Sequence, residues 1–394
     1  MATIQGKEPC RLSPLLTRIL RQGDDAELAR TALGVGDLSR LFTKEREALG
    51  RNYLKDPALR AAYLAYFLPV NLSKIQLLLE ELPEDWHWPS TDRPLRILDL
   101  GTGPGTGALA VLDWLHRHGV KSAFAVMGID ASVEALGEAR RLWNDYSMHA
   151  AIRDATLALL EGNFASTGRW RHDIARNAPF DLIIIANCLN ELYGQTVRAL
   201  TKKSALVGDV LGLLAPHGTL MLVEPALRET SRQFHQLRDQ LLHEQRCTVY
   251  SPCLHEHRCP ALINEDDWCH EERAWVPPLW VQRIDRQIGL IKDALKFSYL
   301  LLRTDGRSIA ERSPDTFRMV SDLRKLKGDA RAWLCNELGR CEVGRLDRAG
   351  SAANAAWHHC QRGTIVRIES ITRKEGASLS RIPADALVQI VRPT

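Results

Sequence analysis

From residue 1 to about residue 92 the apolar positions recur at helical spacing. LSPLLTRILRQ, DAELARTALGVGDLSRLFTKEREALG and LRAAYLAYFLPVNLSKIQLLLEEL each place an apolar stripe on one helix face, which predicts three helices. Pro69 lies inside the third and predicts a break or kink there. Glu84–Pro94 (EDWHWPSTDRP) is polar and proline-bearing and reads as a linker. The pattern then changes. LRILDL, AFAVMGID, FDLIIIANCL and GTLMLVEPA are short apolar runs, separated by helical stretches such as ALAVLDWLHRHG and SVEALGEARRLWNDY. Strands alternating with helices predict an α/β fold with a parallel sheet covered on both faces. Residues 227–292 interrupt this alternation with a helix (LRETSRQFHQLRDQLLHE), a cysteine cluster and several Trp and Pro, before LKFSYLLLR resumes as a strand. The last stretch holds short runs (ARAWLCNEL, TIVRIESI, ALVQIVR) broken by glycine and charge, the pattern of a small β-rich, OB-like unit. The expected organisation is a helical domain over 1–92, a sheet domain over 93–312 with an insertion at about 227–292, and a β-rich unit over 313–394.

Composition adds limits. At ~100–200 residues per domain, 394 residues suit two or three domains. The 45% hydrophobic and 25% charged content is that of an ordinary globular chain. No run reaches the ~18–20 apolar residues of a membrane span, so no membrane is expected. The first residues carry no long apolar segment with a small-residue cleavage site, and acids appear at Glu8, Asp24 and Asp25. The expected location is the cytoplasm, in a bacterium. A net charge of +4 does not by itself point to nucleic acid. From Arg318 to Thr394, however, fourteen Lys/Arg stand against eight Asp/Glu, which suits a phosphate-contacting unit or a solvated surface.

The chemistry begins at D-L-G-T-G-P-G-T-G, Asp99–Gly107, between a strand and a helix. Gly101, Gly103 and Gly105 permit a tight turn whose amides face a ligand at the carboxyl edge of the sheet. A glycine loop alone is weak evidence, but two acids sharpen it. Asp99, before the glycines, suits an ammonium group and would crowd a pyrophosphate. Asp130 ends the next strand, where an acid can accept hydrogen bonds from ribose hydroxyls. Together these residues resemble the first two motifs of S-adenosylmethionine (SAM)-dependent methyltransferases, which implies a Rossmann-like sheet. In that frame Asn163, in LLEGNF, is the candidate for the adenine. A nicotinamide-dependent oxidoreductase is disfavoured by Asp99.

The exit of the fourth strand, Ala186–Glu191, lacks an Asn-Pro-Pro-aromatic motif, which argues against methylation of exocyclic base nitrogens. Cys188 lacks the preceding proline of cytosine-C5 enzymes and reads as a small core thiol. Asn187, Asn190 and Glu191 are the candidates for positioning a substrate or accepting a proton, but no strong catalytic base is evident. Methyl transfer from a sulfonium can proceed by proximity and alignment alone.

Three of the nine cysteines, Cys253, Cys259 and Cys269, are spaced C-x5-C-x9-C. This is not the C-x2–4-C pairing of structural zinc, although His255, His257 and His270 could complete a zinc site. Cys259-Pro260 fits iron–sulfur ligation, for which Cys335 or Cys341 would supply a fourth thiolate.

YLAYFLPVNL, ILDLGTGPGTG, ANCLNEL, the SPC…RCP…DWCH block, KFSYLLL and RMVSDLRKLKGDARAWLC together resemble the methyltransferase-like small-ribosomal-subunit assembly proteins of mitochondria and bacteria. The resemblance runs from about Tyr53 to Cys335. It implies a four-thiolate iron–sulfur site, of the 4Fe-4S type, on Cys253, Cys259, Cys269 and Cys335, with Cys341 as the fallback and zinc as the other occupant. It also implies a partnership with the small ribosomal subunit or its precursor and with rRNA, as a SAM-dependent enzyme or as a non-catalytic assembly factor.

Overall fold

The computed structural model describes residues 9–21, 25–45, 52–87, 93–166, 170–194, 198–373 and 378–394. The end of the second expected helix (46–50) and the centre of the linker (88–92) lie outside the described residues. Helix α1 (Pro14–Ile19) starts at Ser13, whose hydroxyl accepts the Leu16 N–H at 3.1 Å. Helix α2 (Asp25–Thr43) follows. Helix α3 (Pro57–Ala62), capped by Asp56, continues through a π turn (Tyr63–Phe67) into α4 (Leu68–Leu79). The break expected at Pro69 is this π turn. Proline has no N–H to return to the preceding turn, and a wider turn accommodates its ring. Pro57–Leu79 has the length and hydropathy to cross a membrane, which the chain pattern had not suggested because Tyr, Pro, Asn and Lys interrupt its apolar run. Yet 72% of its apolar window is buried inside the fold, so it is a core helix here.

The alternating region forms β1 (Leu95–Leu100), α5 (Thr106–Arg117), β2 (Phe124–Asp130), α6 (Val133–Ala150), β3 (Ala155–Glu161), α7 (Trp170–Ala175), β4 (Phe180–Ala186), α8 (Ala199–Leu211) and β5 (Leu214–Pro225). After α9 (Arg228–His243) come β6 (Thr248–Ser251), β7 (Glu271–Ala274), α10 (Leu279–Ile288) and β8 (Ala294–Arg303). The sheet order is β3-β2-β1-β4-β5-β8-β6, with β7 also on β8. Strands β1 to β5 are parallel and β8 is antiparallel to β5. This is the Rossmann-like α/β sheet that the chain pattern and the resemblance predict. The chain winds outward from β1 to β3, then crosses back to β4. That reversal opens a crevice at the carboxyl ends of β1 and β4, where such sheets bind ligands. Near-continuous burial of β1, β2 and β4 follows from helices on both faces. One core joins α1–α4 and α10 to the α5–α6 face, and a second lies under α8 and α9.

The last unit contains β9 (Thr316–Met319), β10 (Arg324–Leu326), β11 (Asp329–Asn336), β12 (Gly339–Leu346), β13 (Ile365–Ile368), β14 (Thr372–Arg373), β15 (Leu379–Arg381) and β16 (Val388–Arg392). They pair in the order β14-β15-β12-β11-β9-β13-β16, with β10 on β11. Their own core surrounds Trp357, whose indole N–H donates to the Ala330 carbonyl at 3.0 Å. This is the β-rich unit that the chain pattern predicts.

Candidate cofactor turn and thiol site

The glycine turn closes β1 onto α5. Gly101, Gly103 and Gly105 have φ of 72°, 54° and 83°, a region that side chains with a Cβ rarely enter. A Cβ at Gly101 would stand 2.7 Å from the Cys188 sulfur, so space as well as conformation excludes other residues there. Asp130, at the end of β2, holds the turn from the adjacent strand. Its Oδ2 accepts the Gly103 N–H at 2.8 Å and its Oδ1 the Ser132 N–H at 2.9 Å. Burial raises its pKa against those two donors.

Asp99 is turned inward. Its Oδ2 accepts the Thr102 hydroxyl at 2.6 Å and the Ala108 N–H at 3.1 Å, and the residue is 2% exposed. The α5 N-terminus supplies unpaired amides and a positive dipole end, which attract this carboxylate. A Cβ on Gly107 would meet it at 2.6 Å. Burial pushes the Asp99 carboxyl up to about 6 despite these donors. Asp99 therefore builds the turn from below. Asn163 follows β3 on an exposed loop, where its Oδ1 accepts the Ala165 N–H at 3.0 Å. The loop is tied to the cofactor side by the Gly162 N–H, which donates to the Asp130 carbonyl at 2.9 Å.

The exit of β4 lies against the same turn. Asn187 takes a left-handed φ of 59° and its N–H donates to the Val223 carbonyl at 2.7 Å. The Cys188 thiol donates to the Leu100 carbonyl at 3.4 Å. Burial, with Glu224, Glu191, Asp130 and Asp99 nearby, drives its pKa well above that of a free thiol. That environment suits a neutral packing thiol and opposes a nucleophile. Chain pattern alone did not single out Glu224. It ends β5 with 1% exposure, and its two oxygens accept the Leu189 N–H at 3.0 Å and the Asn190 N–H at 3.2 Å. Burial pushes its carboxyl up to about 7, against the Asn190 amide and Lys203. An acid closing the apolar run LMLVEP was the available signal. Tyr53 and Tyr63 from the helical unit also reach this mouth, where Glu191 and Asp130 add to the effect of burial in raising both phenols.

The cysteines occupy a second place. β6 and β7 both pair with the outer edge of β8, through Thr248↔Arg303 and Glu271↔Phe297. The chain between them leaves that edge as a loop carrying Cys253, Cys259 and Cys269. β11 brings Cys335 from the C-terminal unit. All four thiols line one cavity of about 50 Å³, together with Arg318, Arg340 and Tyr299. The fallback Cys341 lies on the other face of that sheet, across from Leu334, and packs against the C-terminal core. His255 and His270 border the cavity, but His257 is not among its lining residues. Among the described residues no group of three or more His, Cys, Asp or Glu is drawn into metal-coordinating positions.

Burial and their mutual proximity keep the thiols of the cavity neutral, although cationic side chains stand around it. Burial and the Cys253 thiol push Cys269 up to about 12, so four thiolates would need a cation among them. Arg238, with a fully buried side chain, donates to the His255 and His257 carbonyls at 2.5 and 2.6 Å. Its neighbour Asp239 accepts the Cys259 N–H. The Nε–H groups of Arg238 and Arg340 are buried without a partner. Such orphaned donors are uncommon in proteins and suit sulfur ligands or an anionic group beside them. Next to the cavity, Arg318 donates to Tyr299 at 2.6 Å, Glu271 at 2.8 Å and Glu81 at 3.3 Å, and Arg273 reaches Glu81 at 2.9 Å.

Over 125 residues the chain is 34% identical to the ribosomal protein L11 methyltransferase of Bradyrhizobium diazoefficiens, a match covering 31% of this chain and 37% of that relative's length. It is similar to the structure of an O-methyltransferase family protein from Burkholderia thailandensis, at 14% identity and a TM-score of 0.36, covering 75% of this chain and 77% of the other. It is also similar to a SAM-dependent methyltransferase from Leishmania major, at 12% identity and a TM-score of 0.37, covering 73% and 89% of the two chains. A family model described as mitochondrial small ribosomal subunit Rsm22 matches residues 57–357, from α3 through the thiol cavity to Trp357, and the protein belongs to that family.

Proposed function

We propose that the protein binds SAM at the turn Gly101–Gly105 and acts with the small ribosomal subunit or its precursor, methylating rRNA or assisting subunit assembly. The observation that carries this reading is the anchoring of the turn by Asp130, whose carboxylate is fixed at the carboxyl end of β2, beside the glycine turn that follows β1. Gly101, Gly103 and Gly105 would line the methionine and sulfonium side, Asp130 the ribose, and Asn163 the adenine. Asp99 would favour the cationic end of the ligand from beneath the turn. Asn187 and Asn190 would align an acceptor; Glu191 or Glu224 would take its proton where one is released. The family's description is mitochondrial, which replaces a plainly cytoplasmic location with a ribosome-bearing compartment, cytosolic or organellar.

Isothermal titration with SAM, combined with transfer of labelled methyl groups to small-subunit precursor particles, tests the reading. The expected result is SAM binding that Asp130→Ala weakens at least tenfold, with label entering the RNA. Binding of SAM without transfer to RNA, protein or small molecules would leave the assembly role and remove the enzymatic one. Absence of SAM binding would overturn the cofactor assignment.

Convergence of four thiols from two distant segments favours a second element of the same reading. Cys253, Cys259, Cys269 and Cys335 would hold an iron–sulfur cluster, with zinc the competing occupant. Such a group supplies either a rigid cross-link between the insertion and the C-terminal sheet or a site for one electron. Arg238 and Asp239 would hold the Cys253–Cys259 loop for it, and Arg318 and Arg340 would offset its negative charge.

A further inference from the structure

The outward face of the C-terminal sheet has an order that chain charge alone does not show. Arg324 on β10 pairs with Arg331 on β11, Arg331 with Gly344 on β12, and Gly344 with Arg381 on β15. Residues paired in register point to the same face, so one row across four strands carries three guanidinium groups around a glycine. Gly344 is what makes the row passable. A Cβ there would meet the Arg381 guanidinium at 2.8 Å and the Arg331 stem at 3.0 Å, so both arginines lie over the bare backbone. Along β11, Trp333 is the next residue on this face, about 7 Å from Arg331 at strand spacing. Arg340 stacks on its ring at 5.0 Å. The opposite face of β11 is buried, whereas Arg331 and Trp333 are half-buried and reachable.

The arginines have counter-ions but are not used up by them. Asp329 is shared by Arg331 and Arg381, Glu342 pairs with Arg324, and Asp267 of the insertion pairs with Arg340. Four guanidinium groups thus stand against three carboxylates, and Arg331 and Arg381 each contact Asp329 through one nitrogen. Each guanidinium carries five N–H donors. The side chain of Arg324 is 56% exposed, and those of Arg331 and Arg381 are each 30% exposed. A planar aromatic beside a row of partly free guanidinium donors is complementary to alternating bases and phosphates, whereas a run of carboxylates alone supplies no ring to place on Trp333. The base must be unpaired to reach that ring.

We infer that this face, from Arg324 across Arg331 and Arg381 to Trp333, binds single-stranded RNA, with phosphates on the arginine row and a base on the indole. The inference deepens the proposed partnership with ribosomal RNA and rests on it. The test is fluorescence anisotropy of the full-length protein with a labelled 12-nucleotide oligouridylate, across a salt series. A 12-base-pair RNA duplex and polyglutamate serve as competitors. The parent is expected to bind the single strand, and both competitors to displace it poorly. Trp333→Ala should weaken binding about tenfold or more, with Trp333→Phe restoring most of it. The double variant Arg324→Gln, Arg381→Gln should flatten the slope of log K against log salt by about 1.4, at ~0.7 per lost phosphate contact on a single strand. Arg141→Gln, on α6, should change nothing. Melting curves check that each variant is folded, and the rescue by Phe separates stacking from collapse. Parent-like binding by both the Trp333→Ala and the double variant overturns this face while leaving RNA association intact. Displacement by polyglutamate as effective as by RNA assigns the face to an acidic protein and overturns the inference. No binding of either RNA by the parent overturns the inference together with the ribosomal RNA reading.

Discussion

Glu224 and Glu81 are both shielded from solvent and respond to pH in opposite directions. Burial pushes Glu224 up to about 7, so its protonated form favours the fold. That contribution is complete below the ordinary carboxyl range and is lost as pH rises through about 7. The destabilisation caused by Glu224→Gln should therefore shrink by up to ~3 kcal/mol between pH 5 and pH 8. Urea unfolding of both proteins at the two pH values measures it, and a constant difference would sink the assignment. Burial would raise Glu81 as well, but Arg318 and Arg273 overcome it and hold the carboxyl down to about 2. Its contribution is present above the ordinary range and disappears as pH falls through about 2. Glu81→Ala leaves two nearly buried guanidinium groups short of a partner, and a loss of ~3–5 kcal/mol is expected in the same assay. The glycines of the turn were legible in the chain, because only glycine fits those φ values. The inward direction of Asp99 was not, since it depends on the Thr102 hydroxyl and the α5 amides competing for one carboxylate.

Among the elements, the strands were the most readable, since β1, β2, β4 and β5 each hold a short, largely apolar run bounded by glycine or polar residues. The insertion was readable only as an interruption. Its logic is a broken edge: β6 and β7 share the same side of β8, and the cysteines occupy the gap between them. No local pattern reveals that pairing, because β6 and β7 are four residues each and nineteen positions separate their facing ends. The choice between Cys335 and Cys341 was equally hidden, for it rests on strand parity. Cys335 shares its side of β11 with Trp333 and faces the cavity, and Cys341 sits opposite Leu334 on the buried side. Iron and sulfide analysis after anaerobic purification should accordingly find a Cys335→Ser variant depleted and a Cys341→Ser variant loaded like the parent. A colourless parent with one zinc would replace the cluster with zinc. Equal loading of the two variants would remove Cys335 from the ligand set.

On the scale of the whole molecule, the two sheets meet beside the thiol cavity, where Arg318 of β9 enters the acids of α4's end and β7. The C-terminal unit therefore contributes both a thiol and a countercharge to a site begun elsewhere. Cys269 and Cys335 are 66 positions apart in the chain. At ~5–20 residues per second of synthesis, the last thiol emerges roughly 3 to 13 seconds after the third. During that interval three sulfur atoms await a strand not yet made. On the proposed reading, loading of the site waits until Cys335 has emerged.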